Sequence, residues 1–200
     1  EVAQGYRETV DPSVTVRFRL TDEDASFLVW TTTPWTLPSN VALAIGEDIE
    51  YDYVELAGET LIVAEALVPS VLGEQDFKLV KTVKGRDLVD RHYHRLFDYL
   101  DAPGDICRVL SADFVSTEDG TGIVHGAPAY GVDDLALGQA NDLPVVHVVG
   151  LDGHFIDAVT PVAGMFFKDA DPVIIDLLRE RGILFKAEEY THNYPFGWRT

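Results

Sequence analysis

SVTVRFRL, Ser13 to Leu20, alternates apolar and polar residues as a half-buried strand does, and FLVWTTT, Phe27 to Thr33, follows it with a β-branched and aromatic run. Both are too short and too rich in β-formers for helices, so the chain opens as a β-protein. Working outward, VALAI (41–45), YDYVELA (51–57), ETLIVA (59–64), FKLVKTV (77–83), CRVLSADFV (107–115) and TGIVHGA (121–127) are further strand candidates at short spacing, separated by Gly and Asp turns. Such spacing predicts a barrel or a folded sheet. Helices are fewer. The stripe Val132, Leu135, Ala136, Ala140 and Leu143 predicts an amphipathic helix over 133–143, with Asp133 and Asp134 in its first turn. Asp171 as a cap, Pro172 at the first helical position and Gly182 as a stop predict a second over 171–182. PVVHVVG (144–150) is expected to be a buried strand between these helices, and ILFKAEEYTH (183–192) another after the second. No linker or internal repeat divides the chain. The expected fold class is therefore strand-rich α/β, one β-barrel-like domain with a few peripheral helices.

Composition narrows the function. With 46% hydrophobic residues in 200, the chain can bury a sizeable core. No apolar run reaches the roughly 18 residues of a membrane span, and the charged start EVAQGYRETVD is not a signal peptide, so no membrane partner and a cytosolic location are expected. Cys107 is the only cysteine, which excludes an internal disulfide and any multi-cysteine metal site; a small buried residue is its simplest role. Fifteen basic residues stand against 34 acidic ones, a net charge of −19, which disfavours autonomous binding to a phosphate backbone.

Two stretches carry chemistry. In VWTTTPWTLPSN (29–40) a strand would project Thr31 and Thr33 to one face and Thr32 to the other. Pro34 ends the ladder and forces Thr33 into an extended conformation. Threonine is a good strand former with no function implied, but the bracketing Pro34 and Pro38 and the amide of Asn40 favour a rigid pocket wall. In GTGIVHGAPAYGVDD (120–134), His125 ends an apolar run, Gly126, Pro128 and Gly131 make an irregular loop, and Asp133 and Asp134 open the next helix. An imidazole and two carboxylates thus stand at opposite ends of one short loop, able to face a common cavity, although strand-end packing and helix capping explain each alone. His92 and His94 have the H-x-H spacing of a metal site, but no third ligand lies nearby and Arg91 and Arg95 flank them, so no metal is expected. His147 and His154 flank a glycine turn. Phosphate-binding loops and nucleophile elbows are missing, and nothing favours a nucleophilic pairing of Cys107 or Ser116 with His125.

These residues resemble the editing (CP1 insertion) domain of the class I aminoacyl-tRNA synthetases of the isoleucyl, valyl and leucyl group. TTTPWTLPSN is similar to the threonine-rich editing motif of the isoleucyl branch; the valyl and leucyl relatives usually carry an arginine at Thr33 and an acidic residue at Trp35. GTGIVHGAPAYGVDD resembles the second editing motif. DPSVTVRF and YPFGWRT resemble the strands that leave and rejoin the catalytic domain, making 1–12 and 192–200 connections of an inserted domain. The departures are Gly126, where relatives carry a bulkier residue, and Gly197, near which they often carry a cysteine.

The resemblance implies hydrolysis of mischarged tRNA, valine wrongly esterified to isoleucine tRNA, with correctly charged isoleucyl-tRNA rejected. One methylene separates the two amino acids, too little for one binding pocket, so a second and smaller pocket hydrolyses what fits. In that pocket Asp134 would bind the α-ammonium, Thr31, Thr32 and Thr33 would serve ribose and ester, and Trp35, Asn40 and Asp133 would shape the binding wall. His125 would limit side-chain size. An aminoacyl ester is already activated, so neither cofactor nor metal is implied. The partners implied are the mischarged 3′ end of tRNA, held mainly by other parts of a synthetase, and free valine or an analogue in the pocket. HIGH and KMSKS-like signatures are missing, so amino-acid activation is not expected. A valyl-type domain clearing threonine, or a non-catalytic module holding the acceptor end, are the rival readings.

Overall fold

The computed structural model describes the backbone of residues 5–196 and the side chains of 10–191; the Gly197 position and the outermost residues lie outside them. The SVTVRFRL alternation falls in β1 (Gly5–Arg19). Val14, Val16, Phe18 and Leu20 are buried, while Arg17 and Arg19 face outward. Arg17 makes a two-pronged pairing with Glu59, Nε to Oε1 at 2.7 Å and Nη2 to Oε2 at 2.9 Å. β2 (Ser26–Thr31) lies antiparallel to β1, with Phe18 opposite Phe27 and Val14 opposite Thr31.

All the other predicted strands except PVVHVVG form, as β3 (Ala42–Ile45), β4 (Glu50–Leu56), β5 (Glu59–Ala64), β6 (Lys78–Lys84), β7 (Arg108–Ser111), β8 (Val124–Gly126) and β9 (Leu184–Phe196). Six of them make one sheet in the order β6-β4-β5-β2-β1-β9, and three make another in the order β7-β3-β8. The architecture is the expected strand-rich α/β one, but among the described residues the strands form two open sheets rather than a closed barrel. The reason lies after β2: the chain leaves through a 3-10 helix, Pro34–Ser39, instead of a hairpin, and delivers β3 to the second sheet. One apolar core, including Val16, Phe27, Leu43, Val109 and Ile174, joins the two sheets and the helix behind them.

The helices are α1 (Val68–Leu72), α2 (Val132–Ala140) and α3 (Asp171–Glu180). Three expectations are corrected. The α2 stripe Val132, Leu135, Ala136 and Ala140 is exposed, Val132 at 87%, and the helix instead buries Gly138 against Pro128. PVVHVVG is no strand beyond an isolated bridge between Val149 and Phe155; the N–H groups of Val148 and Val149 both donate to the Tyr130 hydroxyl, at 2.9 and 3.0 Å, so a side chain takes the place of a ladder. In α3, Gly182 stops the helix at φ +72°, as expected, but Asp171 is its first residue rather than its cap. No helix among the described residues is long and apolar enough to cross a membrane.

Candidate functional site

The threonine run is half strand and half turn. β2 stops at Thr31 because the Thr31 hydroxyl accepts the Thr33 N–H at 3.1 Å, replacing the next ladder bond with a side chain. Pro34 then starts the 3-10 helix, whose Trp35 N–H donates to the carboxylate of Asp171 at 2.9 Å. The Thr31 and Thr33 hydroxyls still share one side, 3.2 Å apart, and that of Thr33 lies 3.2 Å from Thr36 Oγ1. Thr32 turns away into a neighbouring hollow with Phe114, Ser116 and Asp119. Trp35 does not line the Thr31 cavity but packs behind it, its ring 4.9 Å from Tyr130 and 4.7 Å from Phe167.

His125 sits on β8, opposite Leu43 of β3. The strand is anchored by its approach: the Tyr51 hydroxyl donates to the Gly122 carbonyl at 2.6 Å, and the Ala64 N–H to that of Thr121 at 2.9 Å. Both ring nitrogens are engaged, Nε2 with Thr36 Oγ1 at 2.8 Å and Nδ1 with Asn40 Nδ2 at 2.7 Å. Burial lowers its pKa to about 4, so the ring is neutral at physiological pH. Asn40 lies behind the ring, out of the cavity, where the Tyr93 hydroxyl donates to its oxygen.

Asp134, in the first turn of α2, is half-buried and points back across the loop. Its Oδ2 accepts the Ala127 N–H at 3.1 Å, while its other oxygen has no hydrogen-bond partner among the described residues. Burial raises its pKa, opposed by the Ala127 N–H and reinforced by neighbouring Asp133. A cavity of about 120 Å³ brings together Thr31, Thr33, Thr36, His125, Tyr130 and Asp134. Asp133 is exposed and lines a different surface hollow with Phe114 and Leu137. Of the candidates, then, Thr31, Thr33, His125 and Asp134 converge; Trp35 and Asn40 brace them; Thr32 and Asp133 stand elsewhere.

Thr36, Tyr130 and Asp171 were not legible as site residues. For Thr36 the one available signal was its place three residues after Thr33, a spacing that a single helical turn brings together. The other polar candidates are separately occupied. Cys107 is buried, its thiol pushed up to about 11 by burial, and neither it nor Ser116 pairs with His125. His92 Nε2 meets Asp105 at 2.6 Å. Gly126 does not line the cavity; a Cβ there would meet the Ala42 carbonyl oxygen at 3.0 Å, on the strand-pairing side.

No protein-family model matches the chain. It is 48% identical over 200 residues to the isoleucine–tRNA ligase of Clostridium novyi, covering 100% of this chain and 19% of that protein. The chain thus spans about a fifth of the length of the curated relatives it matches. Among solved structures, GlLeuRS-CP1 superimposes with a TM-score of 0.70 at 14% identity, covering 92% of this chain and 99% of that one. The editing domain of the P. falciparum cytosolic leucyl-tRNA synthetase does so with a TM-score of 0.67 at 9% identity, covering 88% and 100%. At those identities the structural likeness speaks for the fold, while the sequence similarity speaks for descent. Similar along its whole length to one segment of the isoleucine–tRNA ligases and folded like a CP1 domain, the chain is the counterpart of that segment of those longer proteins.

Proposed function

We propose that this chain is an editing domain that hydrolyses the ester of valine wrongly attached to isoleucine tRNA and spares correctly charged isoleucyl-tRNA. The observation that carries the reading is the pairing, across one small cavity, of the open oxygen of Asp134 with an imidazole held at both nitrogens. The carboxylate suits an α-ammonium group. The neutral ring of His125, unable to swing because Thr36 and Asn40 both hold it, suits a fixed limit on side-chain size. Hydroxyls of Thr31 and Thr33 stand beside the place where ester and ribose would lie.

Such a reaction needs little more. Water adds to the ester carbonyl carbon, the bond to the ribose oxygen breaks, and free amino acid and tRNA leave; placement of water supplies the rate without metal or covalent nucleophile. Thr33 and Trp35 favour the isoleucyl branch over the valyl one. In this reading the β1 and β9 ends, 1–12 and 192–200, connect to a catalytic domain, and tRNA is held chiefly by that larger protein in the cytosol.

The test is a deacylation panel over valyl-, threonyl- and isoleucyl-tRNA. The expected result is faster release of valine than isoleucine, with Asp134→Ala removing the preference. Preferred threonine release would make the chain valyl-type, binding without turnover would make it a holding module, and equal hydrolysis of valyl and isoleucyl esters would sink the assignment.

A further inference from the structure

The hydrogen bonds around His125 fix where each proton of the cavity wall lies. Asn40 Nδ2 is 2.9 Å from the Ala42 carbonyl oxygen and 3.4 Å from that of Gly126, and only an NH2 group can face two carbonyls. The amide oxygen correspondingly accepts the Tyr93 hydroxyl proton. Of the two amide protons, one goes to the Ala42 carbonyl and the other to His125 Nδ1 at 2.7 Å, with Gly126 at the edge of reach; an amide nitrogen accepts nothing, so Nδ1 must be the bare nitrogen and the neutral ring carries its proton on Nε2. That N–H donates to Thr36 Oγ1.

The order then runs through the threonines. Thr36 spends its own proton on the Thr33 carbonyl at 2.9 Å. The contact between the Thr33 and Thr36 hydroxyls can only be Thr33 donating, and with that proton committed, the contact between Thr31 and Thr33 can only be Thr31 donating. Thr31 Oγ1 also accepts the Thr33 N–H. What faces the cavity is a set of acceptors: lone pairs of Thr31 and Thr33, and the open oxygen of Asp134.

We infer that Thr36 is a positioning residue: Asn40 locks His125 in its Nε2–H form, and Thr36, by accepting that N–H, orders the hydroxyls of Thr31 and Thr33 so that they hold a hydrogen-bond donor, the attacking water, rather than an oxyanion. The inference rests on the editing function proposed above and assigns the hydroxyls within it. A water that gives its protons to two threonine oxygens keeps a lone pair for the ester. Its oxygen bonds to the carbonyl carbon, the carbon to ribose-oxygen bond breaks, and the proton that water loses ends on that ribose oxygen. A wall of donors could not orient water in this way.

Nitrogen-15 NMR of His125 in the intact 200-residue chain reads the lock directly: Nδ1 is expected bare and Nε2 protonated. Thr36→Ser keeps the hydroxyl, and is expected to keep both the tautomer and the rate. Thr36→Val removes the acceptor while Asn40 still holds the tautomer, so the Thr31 and Thr33 hydroxyls lose their order and kcat on valyl-tRNA should fall roughly ten- to hundredfold, the cost of a misplaced reactant, with KM little changed because the ammonium site at Asp134 is untouched. A protonated Nδ1 in the unsubstituted chain overturns the inference, as does an unchanged kcat in a folded Thr36→Val. Should Thr36→Val fail to fold, the unsubstituted spectrum and Thr36→Ser still decide. If the unsubstituted chain releases no valine, the editing function fails, while the spectrum continues to test the proton order.

Discussion

Adding a proton to His125 would set a second N–H against the NH2 of Asn40, on a ring that is itself buried. This is the physical content of a pKa lowered to about 4 by burial. The sign follows from linkage: between the unfolded value of 6.5 and about 4 the unfolded chain takes up a proton that the folded chain refuses, so this residue's contribution is present above 6.5 and is lost as pH falls through that window. The expected outcome is that His125 resonances stay constant from neutral pH down to about 5. A midpoint near the ordinary histidine value would show that the ring is not enclosed as described. At this scale the sequence disclosed the residues that looked out of place, three threonines before a proline and a histidine and aspartate around a glycine loop. It hid Thr36 and Tyr93, because a threonine in a turn and a tyrosine in a core are ordinary in type, and only their hydrogen bonds to the His125 system make them unusual.

Elements were legible where one physical rule governed them and obscure where a side chain overruled it. β1, β2, β4 and β5 follow the apolar pattern because burial decides them, whereas the exposed β6 and the half-exposed β9 are held by their pairing with β4 and β1. PVVHVVG has the same pattern, but Tyr130 supplies the partner that its N–H groups would have sought in a neighbouring strand. The first turn of α3 shows the same kind of override. Asp171 reads as a helix cap, yet it braces the 3-10 helix after the threonines through the Trp35 N–H. Burial raises its pKa to about 6; the Trp35 N–H opposes this, Asp11 adds to it and Lys168 opposes it. A carboxyl raised in this way binds its proton more tightly when folded, so stability rises as pH falls from about 6 to 3.8, and the ionised group costs stability at neutral pH. Asp171→Asn keeps an oxygen for the Trp35 N–H and removes the charge. It should stabilise the fold at pH 7 by about 1 to 3 kcal/mol, with the gain vanishing below about pH 4, in thermal denaturation at the two values. A loss of stability at pH 7 would mean that the turn needs the charge and not merely the acceptor.

For the whole molecule the decisive property is charge, and the sequence shows its total but not its arrangement. The −19 net charge opposes a polyanion, yet β6 and the turn after it concentrate Lys78, Lys81, Lys84 and Arg86 on one edge of the large sheet. The structure pairs most of that strip with acids: Lys81 with Glu23 at 3.9 Å, Lys84 with Glu50 at 3.4 Å and Arg86 with Asp48 at 2.5 Å. Such exposed pairs are weak, but they leave little net positive charge for a tRNA backbone. A surface making six to ten phosphate contacts loses roughly a thousandfold or more in affinity between about 50 and 200 mM salt through counterion release. For this chain acting on valyl-tRNA, kcat/KM should instead change less than about tenfold over the same range, or rise as salt screens the repulsion. A steep fall would reveal a phosphate-binding face on this chain itself. A flat or rising profile would support the proposed reading, in which the pocket recognises the charged end of the tRNA and the grip on the rest of it is supplied from outside this chain.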